Sequence, residues 1–147
     1  MIPYRGAGID GIYLQNGYEI MTLKSGEKAT SIHDIEGLDK AIASALAARS
    51  GEIDGKTFRF LRKYTDMGQR ALGEILGVQE QTVSKWERGQ LEVPRYAAEF
   101  VRGLVREIVS GNAGLMAAVE RYNHLDRERQ QTELNFVETD GGWQLAA

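Results

Sequence analysis

The stretch from Met67 to Gly89, Met-Gly-Gln-Arg-Ala-Leu-Gly-Glu-Ile-Leu-Gly-Val-Gln-Glu-Gln-Thr-Val-Ser-Lys-Trp-Glu-Arg-Gly, constrains this chain more than any other part of it. Leu72, Ile75 and Leu76 recur at helical spacing, as do Val83 and Trp86, and Gly77-Val78 separates the two groups. Glycine takes a left-handed turn at no steric cost, and a valine directly after it can drop into a core and fix the angle between two helices. Ala71 and Gly73 are small enough to permit close approach of the second helix. The spacing therefore predicts two short helices joined by a tight, fixed turn.

Around this centre the chain divides into three parts. Residues 1–53 read as a small α/β module. Gly11–Thr22 is β-rich on both sides of Asn16-Gly17, a dipeptide that favours a two-residue hairpin turn, and a third strand is expected at Ala29–Ile32. Asp34 can cap a helix with apolar residues Leu38, Ile42, Ala45 and Leu46, ended by Ser50-Gly51. Residues 54–111 read as all helical. Phe58 and Leu61 start the series, Pro94 is expected in the first turn of its last helix, and Tyr96, Ala97, Phe100, Val101, Leu104, Val105, Ile108 and Val109 form a stripe wide enough to face two surfaces. Residues 112–147 begin with an expected helix (Leu115, Met116, Val119, Tyr122). They end with the alternation Leu134, Phe136, Glu138, which Thr139-Asp140-Gly141-Gly142 turns into a terminal strand at Trp143–Leu145. The fold class is α+β, a five-helix domain preceded by a hairpin/helix module and followed by a helix and a short strand segment.

With 147 residues, 42% of them apolar and 27% charged, the chain matches one soluble domain or two small ones. It has no cysteine, so disulfides, thiolate metal sites and cysteine nucleophiles are excluded. His33 and His124 stand far apart without ligand spacing, and nothing assembles a nucleophile with a base. Neither an enzyme nor a cofactor is expected. No run approaches the roughly 18–20 apolar residues of a membrane span, and the start MIPYRGAG lacks a signal-peptide pattern, so a cytoplasmic location is expected. The net charge of −3 argues against nucleic-acid binding only as an average. Residues 1–55 carry −3, residues 56–110 carry +3, and residues 111–147 carry −3.

The residues from Phe58 to Val109 resemble the Cro/C1 (XRE-type) helix-turn-helix family of transcriptional regulators. The resemblance is carried by Gln69, Ala71, Leu72, Gly77, the polar run Gln79–Thr82 and the closing Glu87-Arg88-Gly89. More loosely, an Asn-Gly module followed by Arg59-Phe60-Leu61-Arg62 and Thr82–Gly89 is similar to antitoxin-type regulators of the MqsA/YgiT and HigA kind, although the cysteine zinc module frequent in those is missing here. The resemblance implies a dimeric, sequence-specific regulator, a repressor reading an inverted repeat in double-stranded DNA. Alternatives are an antitoxin that grips a protein toxin and a regulator that senses a ligand through its N-terminal module. It also implies that Glu87 pairs structurally with Arg62, clamping the second helix of the motif.

On that second helix Glu80, Gln81, Ser84 and Lys85 share one polar side, and Val83 and Trp86 occupy the other. Gln81 suits adenine and Lys85 suits guanine O6/N7, whereas Glu80 can accept from cytosine N4 or, facing a groove of negative potential, exclude wrong sequences. Gln79, Thr82 and Gln69 suit phosphates, with Arg70, Arg88 and Arg95 as flanking cations. Each also has a plainer reading as a solvated surface residue, and Trp86 reads as core rather than a wedge between bases. One such unit touches half a turn of DNA, so a homodimer is expected. Its interface is expected at the Tyr96–Val109 stripe with residues 115–122, joined by Phe136–Leu145; the N-terminal module is the second choice. The acidic flanks suit a basic protein partner and hold down non-specific DNA affinity.

Overall fold

Side chains from five helices converge on one core in the computed structural model, which describes residues 1–112, 114–115, 117–118 and 134–146. Phe58, Leu61, Met67, Leu72, Val83, Val101 and Val105 are almost fully buried. Burial of each large side chain contributes about 1.5–3 kcal/mol. The molecule is mixed α+β, with three two-stranded antiparallel sheets among the described residues.

The helices follow from periodicity and caps. Helix α1 spans Ile35–Ala48, and its N-cap Asp34 accepts a hydrogen bond from the Gly37 amide at 3.1 Å. It buries Ile42, Ala43, Leu46 and Ala47, while Ala45, expected on the apolar face, is exposed. The two buried alanines leave room for the last helix to pack against α1, which no leucine-counting stripe anticipates. Helix α2 spans Gly55–Tyr64; Asp54 caps it, accepting from the Thr57 amide at 2.8 Å, and it buries Phe58, Leu61 and Arg62. Helices α3 (Gln69–Leu76) and α4 (Glu80–Glu87) follow, and α5 spans Arg95–Val109. Pro94 is the N-cap of α5, one position outside the first turn where it was expected.

The wide stripe of α5 is used within the chain. Ala97, Ala98, Val101, Leu104 and Val105 are buried, with α1 and α2 as the neighbours of this helix. Tyr96 is exposed, and Phe100, Ile108 and Val109 are half-buried. Much of the surface expected to join two copies therefore already serves the core. Two arginines of α5 reach the end of α1. Arg106 Nη1 donates to the Ala47 carbonyl at 2.8 Å, and Arg102, 1% exposed, donates from Nη1 to the Gly51 carbonyl at 2.7 Å and to Glu99 at 3.2 Å.

The hairpin expected across Asn16-Gly17 does not form there. Strand β2 (Tyr13–Leu14) pairs with β1 (Ile2–Pro3), and β3 (Tyr18–Thr22) pairs with β4 (Lys28–Ile32) in the register Tyr18↔Ile32 to Thr22↔Lys28. The turn lies at Leu23–Glu27. There Gly26 has φ 85°, its amide donates to Leu23 O at 2.9 Å, and the Leu23 amide donates to Glu27 O at 2.7 Å. That is a three-residue hairpin loop with glycine in the left-handed position. Leu14 is buried beside Tyr4 and Ile9, so β2 is committed elsewhere, and β3 takes the partner of equal length. Gly17, at φ 79°, redirects the chain between the two sheets.

Near the other end, β5 (Phe136–Thr139) and β6 (Gly142–Leu145) pair around Asp140-Gly141, as the alternation there predicts. Phe136, Val137, Trp143 and Leu145 are all exposed. Leu115 packs partly on the core, its amide donating to Asn112 Oδ1 at 3.0 Å. The remaining apolar residues expected to form a helix here, Met116, Val119 and Tyr122, lie outside the described residues, as does His124.

Candidate nucleic-acid interface

Helix α3 ends at Gly77, whose φ of 76° turns the chain, and the Val78 amide donates back to the Gly73 carbonyl at 2.8 Å. A Cβ placed on Gly73 would stand 2.8 Å from the Val78 carbonyl oxygen, so the close approach at this turn requires glycine. Val78 is half-buried against the core rather than fully inserted. The N-caps Gly68 and Gln79 make no side-chain cap bond, and in α4 the Thr82 amide turns back to the Gln79 carbonyl at 3.0 Å.

Helix α4 is two-faced. Val83 and Trp86 are buried, and Trp86 meets Phe58 edge-on at 5.7 Å and Tyr96 at 6.5 Å. Trp86 is thus core. On the outer face Gln79, Glu80, Gln81, Lys85 and Arg88 are exposed, with Thr82 and Ser84 half-buried beside them. The expected polar set is brought together on one short helix. Arg88 leans along it, its Nε donating to the Ser84 carbonyl at 3.4 Å.

The end of α4 is fixed by a buried ion pair. Arg62 donates from Nε to Glu87 Oε2 at 2.6 Å, from Nη2 to Glu87 Oε1 at 2.9 Å, and from Nη1 to the Met67 carbonyl at 3.0 Å. Arg62 and Glu87 are 8% and 7% exposed, so the bidentate pair is screened from solvent. The Gln69 amide adds a bond to Glu87 Oε1 at 3.1 Å. One carboxylate thereby gathers α2 and the start of α3 onto the last turn of α4. Gln69, expected to suit a phosphate from the start of α3, points its amide nitrogen at this pair. Arg70 stands apart from the cluster, 81% exposed and 3.8 Å from Glu74. Arg95 is exposed at the start of α5.

Gly55 escaped sequence reasoning. A Cβ there would overlap the carbonyl oxygen of Trp86 and come within 2.7 Å of that of Glu87, so the first turn of α2 sits directly on the last carbonyls of α4. The only signal was Asp54-Gly55, which reads equally well as a loop.

Among the described residues no helix is long and apolar enough to cross a membrane, and no group of three or more His, Asp or Glu side chains is gathered as a metal ion requires. Compared with protein-family models, with curated proteins and with solved structures, the chain matches none.

Proposed function

We propose that the chain is a sequence-specific DNA-binding transcription regulator of the Cro/C1 helix-turn-helix type, working as a homodimer on an inverted repeat, with α3 and α4 as the two motif helices. The observation that carries this reading is the division of α4. Its outer face offers Gln81, Lys85 and Arg88 to solvent with Ser84 half-buried between them, while its inner face is held by Val83, Trp86 and the Arg62–Glu87 pair. A helix that is to read base edges must be short, protruding and rigidly backed, because the bidentate pairs that discriminate bases tolerate little misplacement. Gln81 and Lys85 read bases, and Gln79, Thr82 and Arg88 flank them on phosphates. Gln69 contributes through Glu87 as well as through its place at the start of α3.

The test is selection of bound sequences from a random duplex pool with the full chain, followed by titration of the selected site. An enriched two-fold symmetric sequence bound with a steep salt slope supports the reading; enrichment of no sequence overturns it.

A second reading, an antitoxin holding a basic protein, is favoured by one observation. The β5–β6 hairpin exposes Phe136, Trp143 and Leu145 within the acidic last part of the chain. Co-purification with a basic protein encoded beside it, lost on Trp143→Ser, would select that reading.

A further inference from the structure

A cleft of about 1160 Å³ lies between the turn Arg5–Gly8, helix α1 and helix α2, and it reaches Arg88 at the end of α4. Its floor is a second face of α2, distinct from the buried one. Lys56, Arg59 and Lys63 alternate there with Phe60 and Tyr64, at offsets of three, four, seven and eight that place them on one side of a helix. Both aromatic rings are half-buried where they pack against the core, and among the described residues no aromatic neighbour stacks on them. The opposite wall is Gly6-Ala7-Gly8, a turn closed by the Gly8 amide donating to Arg5 O at 3.0 Å, with no side chain larger than a methyl. Such a wall admits a flat molecule close to the backbone.

The charges in the cleft are mixed in a selective way. Arg5, Arg59 and Lys63 have no ion-pair partner among the described residues, whereas Lys56 is held by Asp10 at 3.2 Å. The Glu87 carboxylate at the rim is already taken up by Arg62 and Gln69. Asp39 also lines the cleft and accepts from the Tyr4 hydroxyl at 3.4 Å, and Glu36 and Asp66 line it as well. Free carboxylates count against a bare anion, and a concave site between two parts of a chain counts against the convex backbone of a duplex. Cations for phosphate, aromatic rings for a planar base and carboxylates for its amino groups together describe one ligand class.

We propose that this cleft binds a nucleoside phosphate, with the base against Phe60 and Tyr64 and the phosphate on Arg59, Lys63 and Arg88. Arg88 also belongs to the outer face of α4, four residues beyond Ser84 and three beyond Lys85. A phosphate that engages it withdraws a cation from the surface proposed to meet DNA, so the ligand weakens DNA binding. That coupling rests on the functional reading above; the binding itself does not.

Calorimetric titration of the full chain, without DNA, separates the two. The probes are adenosine monophosphate and guanosine monophosphate, with adenosine, guanosine and inorganic pyrophosphate as comparisons. The expected result is saturable one-to-one binding of at least one monophosphate, with the matching nucleoside at least about tenfold weaker. The double variant Arg59→Ser/Lys63→Ser and the single variant Tyr64→Ala should each weaken it by at least about tenfold, while Lys28→Ala on β4 leaves it unchanged. Arg59 and Lys63 are exposed, so their variants should melt as the parent does; Tyr64 packs partly on the core, and its variant is compared at a temperature where a melting curve shows it fully folded. The proposal is overturned by absence of saturation up to about 1 mM, by pyrophosphate binding as tightly as the nucleotide, or by variants without effect. Loss of DNA affinity in Arg59→Ser/Lys63→Ser with no nucleotide binding would instead give this face to the DNA backbone. If nucleotide binds and no DNA does, only the coupling fails.

Discussion

The carboxylate of Glu87 accepts three hydrogen bonds from two side chains and so ties α2 and α3 to α4. Glu87→Ala leaves the Arg62 guanidinium buried without a counter-charge, which should cost about 3–5 kcal/mol, measured as a fall in the urea midpoint at unchanged slope. Arg62→Met combined with Glu87→Leu should cost much less than the sum of the single changes, because no charge is stranded. On the outer face the outcomes differ in kind. Gln81→Ala and Lys85→Ala should each lose about 1–3 kcal/mol of discrimination at one base position, read by titrating single-base variants of the selected site. Gln69→Ala should weaken all sites alike and also lower stability by about 1 kcal/mol, through its bond to Glu87. The outward residues were legible in sequence because a polar run at helical spacing beside Val83 and Trp86 has only one side to occupy. The bond from Gln69 to Glu87 was not, since a side-chain amide can serve phosphate or carboxylate and only the folded distance of 3.1 Å reveals the second.

At the scale of elements, glycines show how far a local pattern carries. Glycine in a helix normally costs about 0.5–1 kcal/mol relative to alanine, so replacing it usually helps. Gly103 in α5 follows that rule: the nearest atom to an added Cβ is the end of Arg106 at 3.8 Å, and Gly103→Ala should gain about 0.5–1 kcal/mol. Gly55→Ala should do the reverse, losing about 1–3 kcal/mol, since its Cβ overlaps the carbonyl of Trp86. Thermal melts of the two variants should therefore shift in opposite directions. Helices α1 to α5 were legible mainly from period, and of the two aspartate N-caps, Asp34 and Asp54, only the first was legible as a cap. Pairing of the four N-terminal strands was not legible. Asn16-Gly17 has the composition of a hairpin turn, but pairing is decided by which strands match in length and which must bury Leu14, and both facts are tertiary.

Across the whole molecule, charge and apolar exposure set the expectations. The basic middle third lies between two acidic ones, so DNA affinity should fall steeply with salt while non-specific binding stays weak; a log–log plot of affinity against salt measures it. A sedimentation mass of twice the chain at micromolar concentration is expected for a regulator that reads two half-sites. Because α5 spends most of its apolar side chains inside the chain, the exposed Phe136, Trp143 and Leu145 become the first place to substitute, and Trp143→Ser should shift the mass toward one copy.

The bonds from Arg102 and Arg106 to the carbonyls of Gly51 and Ala47 bear on how the molecule can be cut. Residues 1–53 look detachable on paper, a separate module ahead of the helices. Yet a fragment beginning at Asp54 would deprive Arg102, now 1% exposed, of its carbonyl partner and uncover the side of α5 that packs on α1, while the excised piece would lose the arginine bonds at the end of its own helix. The two halves should therefore melt in one cooperative transition. The N-terminal segment is a structural wall of the helical domain.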